Sequence, residues 1–395
     1  MAQFAFYLVL GLVVASSMYQ LVSLYSAFHF FRWHRRQAAY PDFFPPVSIL
    51  KPVRGMDDRA LECWTSFCRQ NYPGPIELVF GVRDEADPAV PFIRQLQQDF
   101  PSLQITLIIN PTQIGVSGKV SNLNNMLAGV HYELLVLSDS DIRVGAEYLR
   151  TVVSPFANPR VGLVTCMYRA IGSTRLAALI EGIGITAEFL PGALVSERFE
   201  GIKFAMGSTI ALRRTVLDHI GGFHAIADYL ADDYLLGKLA ADAGYEVQLS
   251  PYVVETVLPD YGFREFFDHQ LRWARCVKYS RPGGYLGLLF THTTVLALTL
   301  LLLSGSSALG IGVGIGALIL RLVAAWMIGV QGLRDRRLGR YFFLVPVRDV
   351  LSFVVWVVSF WGTTVLWRGD RFRLEAGGKL NRIYSSSEKG SEYRL

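Results

Sequence analysis

The sequence predicts an α/β domain with a mostly parallel sheet, flanked by transmembrane helices. Three observations predict it. Short apolar strands alternate with helical patterns from Val47 to Cys166. Acidic residues stand where strands end, at Asp84, Asp139 and Asp141. Long apolar blocks are confined to the two flanks of the chain. Composition agrees: of 395 residues, 51% are hydrophobic and only 18% charged. A soluble chain carries about 25% charged residues. The deficit excludes a disordered protein and argues against a purely soluble one.

The first apolar block, residues 4–31, contains no Asp, Glu, Lys or Arg. It is long enough to cross a bilayer, which takes about 20 residues. It lacks a basic stretch before it and is too long for a signal core, so residues 1–36 read as an uncleaved anchor. A soluble unit spans 45–262. It opens with a strand at 47–50 and a polar turn at 51–58. A helix bearing Leu61, Trp64 and Phe67 follows, stopped by Pro73-Gly74-Pro75. The next strand, 76–82, ends near Asp84. A helix from Pro88 carries Ile93, Leu96 and Phe100 at helical spacing. Strand 105–109, helix 119–130, strand 134–137, helix 148–156 and strand 161–166 complete the alternation. Continuous apolar strands of this kind are buried on both faces of a parallel sheet.

Residues 263–285 read as an interfacial helix segment, and 286–367 as two or three spans. Their apolar blocks are 286–303, 309–330 and 341–367. The last contains Pro346, Arg348 and Asp349, leaving 350–367 as its clean part. Residues 368–395 form a basic, polar tail, expected to be disordered from about Ser385. Arg32, Arg35 and Arg36 follow the first block, and Arg334, Arg336, Arg337 and Arg340 follow the third. Positive residues stay cytoplasmic, which places the soluble unit in the cytosol of a multi-pass membrane protein. Arg368, Arg371 and Arg373 conflict with a complete fourth span: either that block is partly re-entrant or interfacial, or the rule is broken there, and a cytosolic tail is expected. The net charge of +5 is therefore a topology and headgroup signal. There is no nucleic-acid motif. Cys63, Cys68, Cys166 and Cys276 lack C-x-x-C spacing and are expected to be reduced thiols. Arg321, inside the third span, is either functional or turned to a neighbouring helix. The glycines at 310, 312, 314 and 316 indicate helix packing.

Ligands of open α/β sheets bind beyond the carboxyl ends of the strands. Asp139 and Asp141 flank one serine at such an end. In a continuing strand they point the same way and can share a cation. Mg²⁺ favours one or two carboxylates plus phosphate oxygens. The other reading is a turn-capping pair. Asp232 and Asp233 head a helical pattern, either as a catalytic carboxylate or as acids complementing the helix dipole. In His269-Gln-Leu-Arg272-Trp273, the arginine can pin a phosphate while the indole stacks on a ring or a lipid. The same run also suits an amphipathic interfacial helix. Gly115-Val-Ser-Gly118-Lys119 precedes a helix and can cradle phosphate, although its spacing is not that of a P-loop. Residues 171–204, with Glu181 and Glu188, read as part of an acceptor pocket or lid, or as a core helix pair.

This order of motifs resembles the membrane-bound GT-A glycosyltransferases, and more narrowly the ceramide glucosyltransferase group with its bacterial hopanoid-biosynthesis members. The runs that carry the resemblance lie at 48–52, 82–88, 119–123, 139–144, 231–234 and 269–273. The resemblance implies a GT-A (nucleotide-diphospho-sugar transferase) domain. It assigns Asp84 to the uracil or ribose of a UDP-sugar, Asp139 and Asp141 to Mg²⁺ or Mn²⁺ on the diphosphate, and Asp233 to the general base. Lys119, Arg272 and Trp273 would surround the donor, with Asp232 and His269 beside them. The group's motif opens with Gln or Arg where this chain has His269. The implied reaction is an inverting transfer from a UDP-sugar to a membrane lipid hydroxyl, UDP-glucose to ceramide first. UDP-N-acetylglucosamine to a hopanoid polyol is the closest alternative. For the bacterial members the membrane is the inner membrane. A processive polysaccharide synthase would carry more spans. A non-enzymatic membrane protein would use the acids only for metal binding or stability.

Overall fold

The computed structural model describes residues 1–36, 42–367 and 370–383. The segment from Ser385, expected to be disordered, lies outside the described residues.

An N-terminal helix, α1 (Ala2–Arg36), precedes the α/β domain. The domain runs β1 (Val47–Pro52), α2 (Ala60–Cys68), β2 (Ile76–Val82), α3 (Val90–Asp99), β3 (Gln104–Ile109), α4 (Gly118–Met126), β4 (Leu134–Leu137), β5 (Ile142–Arg143), α5 (Tyr148–Val153) and β6 (Val161–Gly172). Then come α6 (Leu176–Gly184), a π turn (Ile185–Phe189), α7 (Leu190–Glu200), β7 (Ile210–Arg213), α8 (Arg214–His219), α9 (Asp232–Asp242) and β8 (Glu246–Leu258). The sheet order is β3-β2-β1-β4-β7-β6-β8-β5. Strands β1 to β4 pair in parallel, as do β6 and β8. Strand β7 is antiparallel to β4 and β6, and β5 to β8.

The period-2 pattern explains the burial. Val47, Ile49, Leu78 and Phe80 pack with Trp64 and Phe67 on one face. Leu50, Val79, Leu135 and Leu137 pack with Val120, Leu123 and Met126 on the other. The chain order reverses beside β1, which has β2 on one side and β4 on the other. That switch point is where open α/β sheets bind ligands.

Helix α10 (Phe263–Ser280) leads to α11 (Pro282–Gly287), α12 (Thr293–Ser304), α13 (Ala308–Ala325), α14 (Arg336–Arg340) and α15 (Val345–Val358). Among the described residues, three helical stretches are long and apolar enough to cross a membrane: Gln3–His34, Leu176–Glu200 and Ala308–Gly332. Pro282–Thr291 and Thr293–Ser304 make a fourth if the pair, bent by 53°, counts as one span. Leu176–Glu200 is largely enclosed by protein. Its enclosure fits the core reading of residues 171–204, and its length was hidden by the acids Glu181 and Glu188. Gly310 and Gly314 face their neighbours: a Cβ on Gly310 would lie 2.7 Å from Phe6, and one on Gly314 2.8 Å from Leu301. Arg321 is 4% exposed and makes a two-pronged bond to Asp349 of α15, at 2.7 and 3.0 Å. It faces a neighbouring helix, as one of its two readings had it.

The fourth apolar block is not a span-length helix. Helix α15 has 14 residues, roughly 21 Å against a hydrocarbon core of about 30 Å. The chain then turns into an antiparallel sheet of β9 (Thr364–Trp367), β10 (Asp370–Leu374) and β11 (Leu380–Arg382). Val365, Phe372, Leu374 and Leu380 pack with Leu230, next to α9. The Leu380 N–H donates to Asp228 O at 2.7 Å. So the first part of the expected tail is a folded sheet against the α/β domain. The second basic cluster docks there too, with Arg337 donating to the Ser173 and Gly172 carbonyls at the end of β6.

Candidate active site

Beyond the ends of β1 and β4 opens one continuous cavity of about 1710 Å³. Asp139, Asp141, Lys119, Asp232, Asp233, His269, Arg272 and Trp273 all line it. The structure thus brings together residues from four separated stretches of sequence. Asp84 is not among the lining residues. It is exposed, and its carboxylate accepts the Ala86 N–H at 2.9 Å. The preceding Arg83, in the bend that follows β2, lines the cavity instead.

Asp139 and Asp141 sit in the turn between β4 and β5, not on a continuing strand. Lys119, in the first turn of α4, places Nζ 2.6 Å from Asp139 Oδ1 and 4.0 Å from Asp232 Oδ2. It therefore neutralises the acid cluster as well as flanking the glycine-rich turn. Burial alone would lower its pKa, but the carboxylates of Asp139 and Asp232 hold it above the ordinary lysine value. Asp141 accepts from Thr256 Oγ1 of β8 at 2.8 Å. Its own burial, and then the Asp139 charge, push its pKa up to about 6.

Asp232 and Asp233 occupy the first turn of α9, where the helix dipole favours anions. Asp233 accepts the Gly207 N–H at 2.8 Å and its neighbour Tyr234 N–H at 2.7 Å. Burial raises both acids, Asp232 to about 6. His269 Nδ1 lies 2.8 Å from buried Glu181 Oε1, and Tyr261 donates to Glu181 Oε2 at 2.5 Å. The His269 ring packs 4.5 Å from that of Trp273. Glu181, in α6, is thus the buried carboxylate beside the first residue of the 269–273 run.

Several contributors escaped the sequence reading. Lys51 is wholly buried. Its ammonium donates to Asp139 O at 2.9 Å and Ser138 Oγ at 3.2 Å, over the Phe67 ring at 3.7 Å. It fixes the turn that carries the acids, and burial lowers its pKa to about 7. Gly207 matters by what it lacks. A Cβ there would lie 3.1 Å from Asp233 Oδ2, 3.4 Å from Asp139 Oδ2 and 3.5 Å from Lys119 Nζ. These three groups therefore surround one point, and only glycine leaves it open. Gly207→Ala is expected to lower kcat/KM by about tenfold or more, since small misplacements at reacting groups cost that much. Circular dichroism and steady-state kinetics together check that the fold is kept while activity falls.

The acid pair also passes a chemical test for a divalent cation. Two carboxylates line one cavity, and a positive charge there would offset the burial and the Asp139 charge that raise Asp141. No third His, Cys, Asp or Glu completes a closed site among the described residues. That is the open arrangement of a cation that retains waters and phosphate oxygens.

Comparison with known proteins identifies the family. Residues 8–380 match the family model described as glycosyl transferase family 21. The chain belongs to glycosyl transferase family 21. As a family-21 glycosyltransferase it is a sugar-transferring enzyme. It is 22% identical over 394 residues to ceramide glucosyltransferase 1 of Caenorhabditis elegans, covering 97% of this chain and 82% of that protein. With ceramide glucosyltransferase 3 of the same organism, identity is 23% over 272 residues, 68% of this chain and 58% of that protein. The β-monoglucosyldiacylglycerol synthase of Synechocystis is 26% identical over 186 residues, 46% of this chain and 37% of that one. Among solved structures, a mannosyltransferase of Pyrobaculum calidifontis in complex with GDP-Man and Mn²⁺ aligns with a TM-score of 0.47. Its identity is 18%, over 89% of this chain and 99% of that one.

Proposed function

We propose that this family-21 glycosyltransferase transfers a sugar from a UDP-sugar to the hydroxyl of a membrane lipid, with inversion at the anomeric carbon. The observation that carries the reading is the single cavity. It runs from the acids at the sheet's switch point to Tyr19 of α1, His292 and Arg348 among the membrane helices. A water-soluble donor enters at one end, and a lipid reaches the same space without leaving the bilayer. The names of the two ceramide glucosyltransferases favour glucose and a ceramide-type lipid.

In this reading Asp233 accepts the proton of the acceptor hydroxyl. Its buried carboxylate, raised above the ordinary aspartate range, is a better base than an exposed one. The hydroxyl oxygen forms its bond to the anomeric carbon as the bond to the diphosphate breaks, and UDP leaves with that electron pair. Arg272 and Trp273 close the site around the donor, and His269 is held beside them by Glu181. Asp139 and Asp141 would hold Mg²⁺ or Mn²⁺, which supplies charge neutralisation for the diphosphate leaving group. No second nucleophile is needed, which suits a single displacement.

In this reading the catalytic domain lies on the cytosolic face, and the side on which the basic residues gather supports it. The core contacts of Phe30 at the end of α1, and the docking of Arg337, put Arg32 and the second basic cluster on the domain's side. The folded β9–β11 sheet puts Arg371 and Arg373 there as well. In a bacterium this would be the inner membrane.

Two measurements test the proposal. Purified protein in lipid nanodiscs, given UDP-glucose or UDP-N-acetylglucosamine, should release UDP only when an acceptor lipid is present. Release that ignores the lipid contradicts the reading. Chelation should abolish release, and added Mn²⁺ or Mg²⁺ should restore it in the wild type but not in Asp141→Asn. Full activity in the chelator would remove the cation from the account.

A further inference from the structure

The membrane end of the cavity carries polar groups that the transfer chemistry leaves unused. Tyr19, Glu188, His292, Arg348 and Ser352 line it. Arg348 Nε donates to Glu188 Oε2 at 3.1 Å, and Ser352 Oγ donates to the other oxygen of that carboxylate. The carboxylate is thereby satisfied, and two groups remain. Arg348 Nη1 and His292 Nε2 are buried with no hydrogen-bond partner, on residues only 7% and 4% exposed. Buried polar groups in native proteins nearly always find a partner, and two such groups lining one cavity can take it from a bound molecule.

The surroundings are built to hold these two side chains. The His292 ring sits 5.4 Å from Phe353 and 5.6 Å from Trp356. The Arg348 guanidinium lies 5.8 Å from the Phe266 ring. A Cβ on Gly184 would fall 2.5 Å from Arg348 Cζ, so the glycine in α6 makes room for it. Charge counting then narrows the ligand. Arg348 is balanced by Glu188, and the nearby Arg321 by Asp349. An anionic phosphate would add a charge with no partner in a low-dielectric site, which is costly. A neutral oxygen needs only the two open groups.

We propose that Arg348 and His292 clamp the headgroup of the acceptor lipid through a neutral oxygen, an amide or ester carbonyl close to the hydroxyl that receives the sugar. This rests on the lipid-acceptor function proposed above. Arg348 Nη1 donates to that carbonyl. His292 Nε2 donates to it or accepts from a neighbouring hydroxyl, according to its tautomer. The clamp sets specificity, and Asp233 remains the base.

The test compares four acceptors in nanodiscs: ceramide with its amide, diacylglycerol with its esters, a long-chain alcohol with no carbonyl, and phosphatidylglycerol. The wild type should prefer the two neutral carbonyl lipids. His292→Phe keeps the ring packing, and Arg348→Gln with Glu188→Gln keeps the charge balance. Each should raise KM for the preferred carbonyl lipid by about tenfold, the loss of one hydrogen bond to a polar partner. Neither should raise KM for the long-chain alcohol comparably. An equal rise for both acceptors, or no rise for the carbonyl lipid, overturns the clamp and leaves an ordered water as the partner. Preference for phosphatidylglycerol overturns the charge argument. If the wild type hydrolyses UDP-sugar but glycosylates no lipid, the lipid function fails instead, and the clamp with it.

Discussion

Asp233→Asn is expected to lower transfer by about 10²- to 10⁴-fold, the range for loss of a general base. UDP-sugar binding should survive, because the amide is isosteric with the carboxylate and its one oxygen still accepts the N–H of Gly207 or of Tyr234. Asp232→Asn is the control. Asp232 shares the same helix turn but stands 4.0 Å from Lys119, so its loss should weaken donor binding more than the chemical step. Titration calorimetry with UDP-sugar and single-turnover transfer separate the two effects. Equal losses of turnover in both variants, or full turnover in Asp233→Asn, would move the base elsewhere.

The second large effect concerns stability. Arg321→Met should destabilise the membrane bundle by about 3–5 kcal/mol, because it leaves Asp349 buried without its cation. Asp349 keeps a hydrogen bond from Thr294, which does not replace a guanidinium. Pairing Arg321→Met with Asp349→Leu should recover most of the loss, since a buried ion pair often equals a well-packed apolar one. Unfolding in detergent, followed by intrinsic fluorescence, measures both. A double variant as unstable as the single one would show that the pair does more than balance charge. In that case Arg321 would regain the functional reading its position in a span first suggested.

Both expectations depend on how much of the molecule the chain itself makes legible. The parallel half of the sheet is visible because its strands are continuous apolar runs such as 76–82 and 134–137, and because helices separate them. The second half is less so. Strand β7 has four residues, and β8 contains Pro251 and pairs with β6 through a register shift. Neither shows a clean period. At the site, Asp139, Asp141 and Asp233 are legible as acids at strand and helix ends. Gly207 and Lys51 are not, since a glycine beside a turn and a lysine after a strand are common. Only the tertiary structure reveals that one leaves space and the other holds the turn. Asp84 stands just past the end of β2 and is exposed, while its neighbour Arg83 lines the cavity.

The membrane half follows the same logic. Hydropathy finds α1 and α13, but it counts 341–367 as a block because β9 is apolar too. Helix α15 is too short to be a full span. With the β9–β11 sheet against Leu230 and Asp228, Arg371 and Arg373 lie on the side of the α/β domain. The sequence pattern could not separate a span from a short helix followed by a strand.

The central claim is that one sugar passes from a UDP-sugar to a lipid within this cavity. Mass spectrometry of the lipid fraction after reaction tests it directly. The account predicts an acceptor lipid heavier by one hexose or one N-acetylhexosamine residue, with the Asp233→Asn sample showing only the unmodified lipid. A polymer ladder, or lipid unchanged while UDP is released, would contradict it.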